Sequence, residues 1–251
     1  MSGRRVTFTG DAMAPVVQGV IEVRDLTGQP PVIVGGLAVL SRLSRPYRAT
    51  VDLDVVDRPH GGTPQLELLR AATGAEPVEP AAVLLPTRYG DVKVDVLEIR
   101  QAEIDRPSDD PGDRLHVMAH AWAIDTATEL TLEVIRADGE RVEVSTPVAQ
   151  PGPLIAIKLQ AVMNRSAAKA GTDLLDTIRL TLDEATGPVA LAQFAAVDAG
   201  IAHDIALHVD LWFTRKQAQA LQWVRRSGGA GVTADDLELV AELLHGATRR
   251  T

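Results

Sequence analysis

Val32-Ile-Val-Gly-Gly-Leu-Ala-Val-Leu-Ser-Arg-Leu-Ser-Arg-Pro46-Tyr-Arg-Ala-Thr-Val-Asp-Leu-Asp-Val55 reads as strand, glycine turn, helix and second strand. Val32, Ile33 and Val34 form a β-branched run that Gly35 and Gly36 interrupt. Leu37, Leu40 and Leu43 then recur at helical spacing until Pro46 stops the helix. On the strand that follows, alternation puts Arg48, Thr50, Asp52 and Asp54 on one face and Ala49, Val51, Leu53 and Val55 on the other. Two carboxylates side by side on a strand face repel each other unless a cation lies between them. The glycine turn opens a helix, whose first amides can receive an anion. These features together make a metal-and-phosphate arrangement, although an ordinary solvated strand also carries alternating acids.

Working outward, Gly90-Asp-Val-Lys-Val-Asp-Val-Leu-Glu-Ile99 alternates again, with Val92, Val94 and Val96 on one face and Lys93 and Asp95 on the other. Read from the residues alone, Asp95 can be an edge-strand acid paired with Lys93, and Lys93 can steady a phosphate or screen Asp95. Residues 11–28 read as a helix leading into the first strand. His60-Gly-Gly-Thr-Pro64 reads as a surface turn before a helix that Gly74 ends, and the prolines at 77, 80 and 86 mark an irregular crossing. From Leu115 to Val148 the pattern predicts strands extending an antiparallel sheet: Leu115–Ile124, Thr131–Ile135 and, after an Asp138-Gly139 turn, Val142–Val144. His116 and His120 suit a metal pair on a helix but not on a strand, so they are read as sheet-surface residues.

Pro147, Pro151 and Pro153 mark a change of regime, and the chain divides into an α/β domain over 1–150 and a helical domain over 151–251. Leu154–Arg165 reads as a helix and a second starts at Thr172, after Gly171. Lys158, Arg165 and Lys169 are spaced to share one helix face, and the chain has only four lysines, so two on one face exceed what a generic solvated surface needs. Asp173 and Asp176 suit orientation of those cations or the N-terminus of the second helix. Ser227-Gly-Gly-Ala-Gly231 is a linker rather than a phosphate loop, since no Gly-Lys-Ser/Thr follows, and Thr233 caps a last helix. Trp212 and Trp223 are read as packing residues rather than base-stacking platforms.

With these motifs assembled, the chain resembles the AbiEii/AbiGii-type branch of the nucleotidyltransferase superfamily, to which the MenT-like toxins of toxin–antitoxin pairs belong. The matching residues are Gly35-Gly36, Arg48-x-Thr50-x-Asp52-x-Asp54, Asp95, and then Lys158, Arg165, Lys169, Asp173 and Asp176 in order. The resemblance implies an α/β (α+β) nucleotidyltransferase fold, a mixed sheet with flanking helices, followed by a C-terminal helical domain that closes over the site. It implies Asp52, Asp54 and Asp95 as metal ligands, Lys158 as a further catalytic residue, and two Mg²⁺ ions, with Mn²⁺ as a substitute. It implies Gly35, Gly36, Arg48, Thr50, Lys158, Arg165 and Lys169 as nucleotide-binding residues, with Asp173 and Asp176 orienting them. The expected reaction moves a nucleotide from a nucleoside triphosphate to RNA, the tRNA acceptor end above all, blocking translation until a cognate antitoxin restrains it. A small-molecule nucleotidyltransferase of the aminoglycoside type and an inactive module that keeps only the fold are the alternatives.

Composition narrows the setting. With 45% hydrophobic and 24% charged residues the chain has the balance of a water-soluble protein, and without cysteine it has neither disulfides nor thiolate metal ligands. No apolar run approaches the about 20 residues of a membrane span, and the first residues lack the apolar core of a signal peptide, so no membrane partner and a cytoplasmic location are expected. A net charge of -9 argues against a surface that coats nucleic acid, so any RNA must be gripped locally.

Overall fold

The computed structural model describes residues 4–59 and 61–249; His60 lies outside them. The chain divides into two compact units. One comprises 4–41, Arg45–Asp105 and Ala123–Ala149, and the other Arg42–Ser44, Arg106–Trp122 and 150–249.

The first unit is built on an eight-stranded mixed sheet. Its strands are β1 (Arg4–Thr9), β2 (Val32–Ile33), β3 (Asp52–Asp57), β4 (Glu76–Glu79), β5 (Ala82–Leu85), β6 (Val92–Glu98), β7 (Thr128–Ile135) and β8 (Arg141–Val148), in the spatial order β1-β7-β8-β2-β3-β6-β5-β4. β3 runs parallel to β6, and β2 runs antiparallel to β3. Leu53, Val55, Val94 and Val96 are buried, as alternation requires. The helix α1 (Ala14–Thr27) covers them with Val16, Val17, Val20 and Val23. Its Gly19 lies so close to the sheet that a Cβ would come within 2.8 Å of Val92 Cγ1. α1 ends at Gly28, whose left-handed φ of 76° lets its N–H reach the Arg24 carbonyl. Three further helices follow: α2 (Gly35–Arg42), α3 (Gln65–Arg70) and α4 (Gln101–Asp105).

Several expectations need correction here. β1 was not anticipated; its two inward residues, Val6 and Phe8, give too short an alternation to distinguish it from a polar terminus. The proline-marked crossing contains the hairpin β4–β5, because Pro77 and Pro80 fall on and after the outer strand, where a missing N–H costs no ladder bond. β6 lies between β3 and β5, so Asp95 is not an edge-strand acid. Leu115–Ile124 is not a strand: it lies within helix α5 (Pro111–Thr126), with Leu115, Ala119 and Ala123 buried at four-residue spacing. The start signal lies just upstream, where Asp110 Oδ1 accepts the amides of Gly112 at 2.8 Å and Asp113 at 2.9 Å.

The second unit is helical. It contains α6 (Pro151–Ala161), α7 (Ala167–Leu182), α8 (Gly187–Ala196), α9 (Ala199–Val209), α10 (Gln217–Arg226) and α11 (Ala234–Thr248), with a 3₁₀ turn at Val162–Asn164 and a π-helical stretch at Asp210–Arg215. Leu154, Ile155, Leu159, Leu174 and Leu175 are fully buried, each worth about 1.5–3 kcal/mol of apolar burial. Gly171 does not separate two helices as expected. It sits inside α7 because a Cβ there would overlap the Trp223 carbonyl of α10. Trp212 is buried, with its ring 5.7 Å from that of Trp223. At α11, Thr233 Oγ1 accepts the Asp236 amide while the Asp236 carboxylate accepts the Thr233 amide at 2.8 Å, closing a capping box. Among the described residues, no helix is long and apolar enough to cross a membrane.

Candidate functional site

In the first unit the glycine turn and the paired acids are built as one piece. β2 delivers Val34, whose N–H donates to the Asp54 carbonyl at 3.0 Å. The next residue, Gly35, opens α2 at φ 60°, a backbone region that side chains disfavour. A Cβ on Gly35 would overlap the Asp54 carboxylate and come within 2.6 Å of the Asp54 Cβ. The Gly36 N–H, at the start of α2, faces Asp54 Oδ2 at 3.4 Å. The turn is therefore shaped around this one acid.

β3 begins only at Asp52, so Arg48 and Thr50 are not on its face as expected; they lie in the coil before it. They nevertheless converge on the turn. A Cβ on Gly36 would stand 2.8 Å from Thr50 Oγ1 and 3.3 Å from Arg48 Nη2. Thr50 is held there by its hydroxyl, which donates to the Asp52 carbonyl at 3.3 Å, and by its amide, 3.4 Å from Met13 Sδ. Arg48 donates to the Tyr47 hydroxyl at 3.3 Å and the Ala49 carbonyl at 3.1 Å. Val51, between Thr50 and Asp52, is an apolar side chain left 72% exposed.

Across the parallel ladder, Asp54 and Asp95 occupy paired register positions, and Asp52 pairs with Lys93. Burial raises the Asp95 pKa above the ordinary carboxylate value, and the charge of Asp54, followed by that of Asp52, adds to the rise. Lys93 opposes it but is shared, with Nζ 3.3 Å from Asp95 and 2.9 Å from Glu79. Sequence reasoning missed Glu79, since it lies on the strand hidden in the proline-rich crossing. Asp54 and Asp52 thus both disfavour ionisation of Asp95, and the shared lysine opposes them. Among the described residues, no group of three or more acidic or histidine side chains is gathered closely enough to hold a metal ion unaided.

The helical unit holds a separate ionic cluster. Lys158 on α6 is 5% exposed, and its Nζ lies 2.7 Å from Asp173 Oδ1 and 2.9 Å from Asp176 Oδ2, both on α7. Burial disfavours the ammonium, yet Asp176 and then Asp173 outweigh it and hold its pKa above the usual lysine value. Arg165 Nη1 joins Asp173 at 2.9 Å. The acids sit in the middle of α7, one turn apart, so the capping role does not apply to them. The single cationic face also needs correction: α6 ends at Ala161, Arg165 is extended, and Lys169 starts afresh in α7, where it is exposed. His116 and His120 lie on α5 rather than on a sheet. His120 is buried, its Nδ1 donates to the His116 carbonyl at 2.6 Å, its Nε2 has no partner, and burial lowers its pKa to about 3.

No protein-family model and no curated protein matches this sequence. Among solved structures it is similar to an antigenic nucleotidyltransferase-like protein from Paracoccidioides brasiliensis, at 20% identity, covering 78% of this chain and 92% of that one, with a TM-score of 0.39. A likeness that distant carries no argument about activity.

Proposed function

We propose that this chain is a metal-dependent nucleotidyltransferase. The observation that supports it is Gly35, where an added Cβ would overlap the Asp54 carboxylate, beside the paired positions of Asp54 and Asp95, whose charges repel. Those acids offer hard oxygen donors, which suit Mg²⁺ or Mn²⁺. Magnesium is usually bound by one or two carboxylates plus substrate phosphates rather than by an all-protein cage, so the lack of a ready-made cluster is compatible with a site completed by the triphosphate. When bound by Asp52, Asp54 and Asp95, two such ions would neutralise charge on the attacking and leaving oxygens.

The residues of the first unit then have distinct tasks. The Thr50 hydroxyl and the Arg48 guanidinium, beside the start of α2, bind phosphate oxygens, while the Gly36 amide holds the Asp54 carboxylate. An acceptor hydroxyl attacks the α-phosphorus, a new oxygen–phosphorus bond forms, the bond to the bridging oxygen breaks, and pyrophosphate departs. Asp95 either holds one of the ions or takes the hydroxyl proton. Lys158, Arg165 and Lys169 as triphosphate ligands, oriented by Asp173 and Asp176, rest on the family resemblance, as do the tRNA acceptor end, the toxin role and the antitoxin.

The test is incubation with Mg²⁺, each α-labelled nucleoside triphosphate in turn, and total tRNA, beside an Asp52→Ala, Asp54→Ala double variant. Label in RNA with the native protein and none with the variant supports the reading. Label in neither, with every nucleotide, removes tRNA as the acceptor.

A further inference from the structure

The helical unit contains a cavity of about 400 Å³ that the nucleotide-transfer reading does not use. Its lining comes from the start of α5 (Asp110, Asp113), from α6 and the turn after it (Gln160, Asn164), and from α9 (Leu207, His208), with Met163 and Leu211 adding apolar surface. Two polar side chains in this lining are deeply buried. Gln160 is 6% exposed, and its amide has no hydrogen-bond partner among the described residues. Its amide borders the cavity and can pair with a bound group. His208 is 5% exposed. Its Nδ1 lies 2.8 Å from the Asp204 backbone carbonyl, which can only accept, so Nδ1 carries the proton. In the neutral ring, Nε2 is then left as an acceptor.

The charges in the lining determine what fits. Asp110 and Asp113 contribute two exposed carboxylates, and among the described residues no lysine or arginine lines the cavity. The nearby Arg114 is occupied by a bidentate pair with Asp204, at 2.7 Å for each bond. The α5 N-terminus cannot act as an anion site, because Asp110 Oδ1 already takes the Gly112 and Asp113 amides. Phosphate is therefore disfavoured. A donor-rich cation with an aliphatic body matches a lining of two carboxylates, the apolar Met163, Leu207 and Leu211, and acceptors at Gln160 and His208.

We propose that this cavity binds a small aliphatic organic cation carrying an ammonium or guanidinium group. The proposal stands independently of nucleotide transfer. Calorimetric titration of the full chain with agmatine, which carries both groups on a four-carbon chain, tests it, with inorganic phosphate as the control. The expected result is saturable one-to-one binding of agmatine and none of phosphate. Asp113→Asn, at an exposed position where folding is not at stake, weakens binding about tenfold, the usual scale for one charge-assisted hydrogen bond. Gln160→Leu, which keeps the apolar fill, weakens it severalfold. Absence of agmatine binding at millimolar concentration overturns the proposal, as does an affinity that neither variant changes.

Discussion

Replacing Gly35 by alanine probes the piece of structure on which the functional reading depends. Two costs add at this position. Holding a side-chain-bearing residue at φ 60° costs roughly 1–2 kcal/mol. The new methyl also lies 2.6 Å from the Asp54 Cβ, so turning the carboxylate aside does not relieve the overlap and the backbone has to move, which costs about 1–3 kcal/mol more. The total loss is about 2–5 kcal/mol. Gly139 is a control within the same unit, since its φ of 85° imposes a comparable strain while nothing stands within 4 Å of an added Cβ. Urea unfolding of both variants, followed by circular dichroism in metal-free buffer, measures the difference. Gly139→Ala should lose roughly 1–2 kcal/mol and Gly35→Ala distinctly more. Equal losses would refute the claim that the turn is fitted around Asp54.

Three further outcomes are expected. Lys158→Met leaves Asp173 and Asp176 buried without their shared ammonium and should cost about 3–5 kcal/mol in urea unfolding. In the native chain the raised Lys158 pKa makes that contribution complete below the ordinary lysine pKa, and it is lost as pH rises through the folded value, so alkaline unfolding should narrow the gap to the variant. His120 is a base whose pKa burial lowers from 6.5 to about 3, so the folded state binds fewer protons in that window and native stability should fall as pH drops below 6.5. The slope approaches about 1.4 kcal/mol per pH unit, and His120→Phe should flatten it in an acid titration of stability. Thr233→Ala opens the capping box of α11 and should cost about 1 kcal/mol, read as a lower urea midpoint with unchanged slope.

Much of the sheet was legible because β3 and β6 alternate cleanly: Leu53 and Val55, then Val92, Val94 and Val96, all point to the core. Alternation put Asp52 and Asp54 on one face and Asp95 on a face of its own strand, and only the family resemblance implied that the two strands are neighbours, as the parallel β3–β6 pair is. α5 was misread because Leu-His-Val-Met-Ala-His-Ala-Trp satisfies a two-residue period and a four-residue period alike, and burial of Leu115, Ala119 and Ala123 shows that the second prevails. The cationic face over Lys158, Arg165 and Lys169 was inferred from spacing along an unbroken helix, and the turn at Val162–Asn164 removes that premise. Glu79 beside Lys93 was illegible, since the hairpin that brings β4 to the sheet depends on pairing across the strands and not on local pattern.

The central claim is that the acids beside the glycine turn hold a divalent ion together with a nucleoside triphosphate. Titration of Mn²⁺ followed by electron paramagnetic resonance, with and without each triphosphate, tests it most directly, using native protein and Asp54→Asn. The account predicts that native protein binds Mn²⁺ far more tightly when the nucleotide is present, and that Asp54→Asn abolishes the gain. Binding that is unchanged by the substitution, or no binding with any nucleotide, would contradict it.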